Sequence, residues 1–171
     1  MNLDYCLAQL TSNAKAIEQL VAGLDNEMAR WKPSDKDWSV LEVINHLADE
    51  EREDFRARFQ FIISGASGNP SPNDPEAKVI ERRYNERDLS SSVADYLNER
   101  QQSLSWLRGL TDIPFGNQYS SPQGWSISAG DMLVSWVAHD VLHMRQLTEL
   151  KWGYQMKQFA PYDPGYAGDW L

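Results

Sequence analysis

Apolar residues recur in steps of three and four over four long segments, which predicts four amphipathic helices. The first spans Leu3 to Met28, where Leu3, Leu7, Leu10, Ala14, Ile17, Val21, Leu24 and Met28 mark a seam of the kind buried in a helix bundle. Trp31 and Pro33 close it. The second opens at Ser39, which forms a capping-box pattern with Glu42 ahead of Val40, Val43, Ile44 and Leu47. It continues through Phe55, Phe59 and Ile62 and ends near Ser64 and Gly65. The third is placed from Ser91 to Leu110 on Val93, Tyr96, Leu97, Leu104, Leu107 and Leu110. The fourth opens at Ser128, with Asp131 three residues on, and runs to about Trp152. No segment shows the period-two alternation of a strand.

Residues 65–76, GASGNPSPNDPE, are loop by composition, and the loop-like stretch extends toward Arg87. That is long for a bundle connection, and it suits a crossover that leaves its two flanking helices parallel. Residues 111–127, with Pro114, Gly116, Pro122 and Gly124, are a further loop. From Gly153 the aromatic residues Tyr154, Tyr162, Tyr166 and Trp170 stand among Pro and Gly, which predicts an irregular strap across the bundle or a partner-binding tail. No internal repeat and no second boundary interrupts this order, so residues 1–171 are read as one all-α domain.

Composition narrows the setting. A chain of 171 residues, 42% hydrophobic and 24% charged, is long enough to bury a core. It holds no apolar run of the roughly 18 residues that a membrane span needs. Its start, MNLDYCLAQL, lacks the basic patch and apolar block of a secretory signal, so a cytoplasmic location is expected. The single cysteine, Cys6, excludes an internal disulfide and a Cys-rich zinc cage. It lies beside the seam residue Leu7 with no basic neighbour, which suits a small core residue rather than a nucleophile. A net charge of −9 disfavours DNA, RNA and anionic membranes as partners, because all three are recognised largely through Lys and Arg.

The chemistry concentrates in WVAHDVLHMRQL, residues 136–147. His139 and His143 are four apart, so on a helix they project one turn apart from one face. At 100° per residue both fall within about 40° of Met132, Trp136 and Leu150, which points them into the apolar seam. Two buried imidazoles need partners, and a metal ion satisfies both. A third ligand has to come from elsewhere, and His46, in INHLADE on the second helix, is the one remaining histidine. The alternatives are core histidines bonded to backbone carbonyls or carboxylates, and for His46 a surface or capping role.

Glu50, one turn past His46, is a weak candidate for a fourth ligand, a general base or an orienting group, against the plainer reading of DEEREDFR as a solvated acidic patch. Asp140 suits an interhelical hydrogen bond or ion pair. Trp125, just ahead of the fourth helix, is a candidate wall for an apolar pocket over the metal. HDVLH differs from the HExxH protease signature in its shorter aspartate, which would place a general base poorly, so the protease reading is set aside.

The combination of Trp38, Ser39, Glu42, His46 and Leu47 in WSVLEVINHL with His139, His143, Gln146 and Leu147 in HDVLHMRQL resembles the DinB-like family of four-helix-bundle proteins, which lies within the superfamily of bacillithiol and mycothiol S-transferases. The resemblance covers nearly the whole chain through a short, degenerate motif. It implies an up-down-down-up bundle with a long second crossover, often dimeric. It also implies His46, His139 and His143 as ligands of zinc, nickel or another divalent ion.

The activity so implied is attack on a small electrophilic substrate by a metal-activated nucleophile, either water in hydrolysis or a low-molecular-weight thiol in thiol transfer. The alternative is a non-catalytic bundle in which a structural metal, or none, staples the helices. Val141 and Leu142 point away from the histidine side, so the fourth helix is apolar nearly all round, and a homodimer is expected.

Overall fold

The computed structural model describes residues 2–170, which form the expected four-helix bundle in up-down-down-up order. Helix α1 (Leu3–Val21) is capped by Asn2, whose side chain accepts from the Tyr5 amide at 3.0 Å. It ends short of the predicted Met28, because Ala22 turns extended and Gly23 takes φ +74°. Asp25 then caps a separate short helix, α2 (Asn26–Arg30), which carries Met28 into the core from a new direction.

The second long helix begins as α3 (Val40–Asp49), with both halves of the Ser39/Glu42 capping box formed. It passes through a π-helical turn, Glu50–Phe55, and continues as α4 (Arg56–Ile63). A π turn holds an extra residue without breaking the helix and changes which side chains face inward downstream. Here Glu50, Glu51 and Phe55 are all buried.

The crossover is not loop throughout. Asp74 accepts from the Ala77 amide and Pro75 occupies the first helical turn, a start signal for α5 (Pro75–Glu81). Helix α6 (Leu89–Gly109) starts slightly ahead of the expected Ser91, because Asp88 accepts from the Ser91 amide at 2.8 Å. The loop after it contains a strand pair that the sequence pattern does not show, β1 (Gln118–Ser120) antiparallel to β2 (Ser126–Ser128). Strands of three residues are too short to display a period.

Helix α7 (Ala129–Phe159) runs well past Trp152. Gly153 does not end it; its bare Cα sits against the Trp31 ring, where an added Cβ would come within 3.0 Å. The irregular tail is therefore shorter than expected, and Tyr154 is a buried helical residue. Farther on, Trp170 stacks on Trp152 with ring centroids 5.1 Å apart. No helix among the described residues is long and apolar enough to cross a membrane.

The bundle core is divided. One apolar cluster contains Leu7, Leu10, Phe55, Phe59, Leu104, Leu107, Leu133 and Trp136. The other contains Ala14, Ile17, Val43, Ile44, Leu47, Tyr96, Leu147 and Leu150. Each long helix contributes to both, and between them each supplies polar residues at one level. These are Asn13, then Asp49 to Glu51, then Glu99 and Arg100, then His139, Asp140 and His143. The candidate chemistry lies in this polar layer.

Candidate metal centre

His46 reaches the layer from the last turn of α3, and His139 and His143 reach it from successive turns of α7. His46 Nε2 lies 3.4 Å from His139 Nε2, which in turn lies 3.1 Å from His143 Nε2. One nitrogen from each residue falls within 4.8 Å of the others. Nitrogens bound tetrahedrally at 2.0–2.1 Å from a shared ion sit about 3.3 Å apart, so the spacing fits a common ion.

The rings are held in place from outside. Nδ1–H of His143 donates to Gln146 Oε1 at 2.8 Å, which leaves Nε2 with its lone pair directed inward. The Trp38 ring meets His46 edge-on at 4.8 Å, and Phe55 meets His139 at 5.0 Å. Trp38 is fixed in turn by its Nε1–H, which donates to Glu76 at 3.2 Å. Burial and the neighbouring imidazoles hold His46 down to about 2; burial, His143 and the positive charge of Arg100 hold His139 down to about 3; and burial lowers His143, against the opposing pull of Gln146 and Asp140. All three are therefore neutral at physiological pH, the state in which imidazole ligates a metal.

Glu50 is not part of a solvated patch. It is 6% exposed, and its Oε1 lies 3.8 Å from His46 Nδ1, the ring nitrogen that faces away from the cluster. Asn73 donates to the same oxygen at 2.7 Å, and burial pushes the carboxyl up to about 7. This geometry suits a group that orients His46 and does not suit a fourth ligand. Trp125 packs on Tyr119 beside the strand pair, at 5.5 Å, so the large ring beside His46 is Trp38 and not Trp125. Cys6 is a buried core residue, as its position suggests.

Asp140 makes the expected interhelical ion pair, and its partner is a residue that the periodicity passes over. Arg100 of α6 donates to both Asp140 oxygens at 2.8 and 2.7 Å, to Glu51 at 2.6 Å and to the Leu10 carbonyl at 2.8 Å. Glu51 also accepts from Trp136 Nε1 at 2.6 Å. Trp136 stacks on Phe55 at 5.6 Å, which carries the contact through to His139. A signal was present in the sequence, since Tyr96, Arg100, Ser103 and Leu107 follow the seam steps of α6.

A sequence profile of the DinB superfamily matches residues 9–147. A protein of Oceanobacillus iheyensis, provisionally named a metal-dependent hydrolase, is 26% identical over 137 residues, which is 80% of this chain and 78% of that protein. YfiT of Bacillus subtilis, provisionally classed as a metal-dependent hydrolase with an unusual four-helix bundle topology, superposes with a TM-score of 0.78 at 23% identity. The match covers 90% of this chain and 87% of YfiT. The mycothiol-dependent maleylpyruvate isomerase superposes with a TM-score of 0.68 at 14% identity, over 86% of this chain and 61% of the isomerase. At such identities the likeness to the two structures is one of fold.

Proposed function

The chain belongs to the DinB superfamily, and on that premise we propose that it is a metal-dependent enzyme acting on a small electrophilic molecule, with a divalent ion held by His46, His139 and His143. The observation that carries this reading is the convergence of three neutral Nε2 atoms at 3.1 and 3.4 Å separations. An all-imidazole donor set suits zinc or nickel and not magnesium or calcium. When bound, such an ion polarises an electrophile and lowers the pKa of a water or thiol nucleophile.

The protein's own residues supply the setting. Gln146 fixes the far nitrogen of His143 by a hydrogen bond, Glu50 lies 3.8 Å from the far nitrogen of His46, and Phe55 and Trp38 confine the rings. Three ligands leave coordination positions open, as a catalytic site requires, whereas a stapling metal has a closed shell of four. Glu50, turned to the outer nitrogen of His46, does not close it. His139 and His143 are only partly buried, so the cluster meets solvent on the α7 side.

Hydrolysis is favoured by the name of the Oceanobacillus relative. Transfer of a low-molecular-weight thiol is the second form of the reaction, in line with the mycothiol dependence of the isomerase that shares the fold. The test is elemental analysis of untagged protein, followed by ester hydrolysis and thiol-transfer assays before and after chelation. Near-stoichiometric zinc or nickel and an activity that vanishes with the metal are expected. Metal-free protein with undiminished activity would sink the proposal.

The proposal includes a homodimer formed through α7. Val134, Val141 and Leu142 are 45%, 53% and 59% exposed along one side of the helix. Asp131 and Arg145 lie equally far to either side of Ala138, so an antiparallel copy would set opposite charges together. Sedimentation should give a dimer at micromolar concentration and a monomer for Leu142→Glu. A wild-type monomer contradicts it.

A further inference from the structure

The buried cluster beside the histidines does not balance its own charge. Glu51 and Asp140 carry two negative charges against the single positive charge of Arg100, and the three are 2%, 0% and 2% exposed. Glu51 Oε2, Arg100 Nε and the Tyr96 hydroxyl are buried with no hydrogen-bond partner. An uncompensated charge in such a place is costly, and proteins retain one only where something offsets it.

The compensation is at hand in the same layer. Asp140 precedes His143 by three residues, a spacing that puts these two side chains about 5–6 Å apart at Cβ on a helix, and its negative charge acts on the His143 ring. Three imidazole ligands bring no charge of their own, so an ion bound to them keeps its double charge, and the net negative charge of the Arg100 cluster offsets part of it.

We propose that Glu51 and Asp140, braced by Arg100, form a buried counter-charge that raises the affinity of the histidine site for a divalent cation without touching the ion. The inference rests on the metal-site reading given above. It assigns a role in metal binding to side chains outside the ligand set, and it explains why the cluster keeps two carboxylates where one would neutralise the arginine.

Glu51→Gln isolates the charge. Glu51 Oε1 accepts both hydrogen bonds, and the glutamine amide would replace the unpartnered Oε2. The experiment measures Zn2+ affinity by chelator competition, together with melting temperatures of the metal-free and zinc-loaded protein, for wild type, Glu51→Gln and Asp140→Asn. Removing a buried charge from this cluster is expected to weaken zinc by at least about tenfold. The metal-free variant should melt at the wild-type temperature or above it, since the charge lost was uncompensated. A merely structural ion cluster gives the opposite pattern, with equal losses in both forms and zinc affinity within about twofold of wild type, and that pattern overturns the proposal. Failure of both variants to fold also overturns it, and wild-type protein that binds no zinc overturns this inference and the metal-site reading together.

Discussion

Replacing Arg100 with methionine is expected to cost about 3–5 kcal/mol of folding stability, because it strips two buried carboxylates of their cation. The guanidinium holds Asp140 through two hydrogen bonds and Glu51 through a third, and it satisfies the Leu10 carbonyl on α1. Methionine fills similar space and offers none of these. Glu51 then keeps only the Trp136 N–H, and Asp140 keeps no partner among those the structure shows. Urea unfolding of the metal-free protein measures the loss. Adding Glu51→Gln and Asp140→Asn to the same chain should restore much of it, since an apolar or neutral replacement of a whole ion cluster is often tolerated. A loss below about 1 kcal/mol for Arg100→Met would mean that the cluster is open to water, contrary to its 2% exposure.

His139→Ala should abolish tight metal binding, with a loss of at least about a hundredfold, beyond the range seen when only a ligand's supporting group is removed. His139 is the hub of the site, since its Nε2 is the atom within 3.4 Å of both other histidines. Zinc at a hundred times its dissociation constant adds about 2.7 kcal/mol to the stability of a protein that binds it only when folded. The wild type should therefore melt higher with zinc, and the variant should not. Without metal the variant should lose far less than Arg100→Met, because the ring is partly exposed and no charge is orphaned. A zinc-induced rise that persists in His139→Ala would remove this residue from the ligand set.

Much of this is legible in the chain. The two capping boxes, Ser39 with Glu42 and Ser128 with Asp131, state where two helices begin, and both form as read. The spacing of His139 and His143 gives a shared face because helical geometry leaves no other choice. What is hidden depends on neighbours. Arg100 sits in NERQQS, where a charged residue at a seam position reads as solvent-facing until Glu51 and Asp140 are known to meet it. Glu50 and Glu51 lie in an acidic run that suggests water, yet the π turn and the crossover bury both. Gly153 reads as a stop, and only the Trp31 ring packed against it shows that it is a close approach.

The divided core also constrains how the four helices align along their lengths. An uninterrupted apolar seam permits a helix to slip by one heptad with little change in what it touches. Here such a slip would carry Arg100 into leucine and set Asp140 or Glu51 against hydrocarbon with no cation opposite. Misaligned assemblies are thereby penalised far more heavily than the native one is rewarded, so the charged stratum acts as an axial lock that selects a single arrangement during folding.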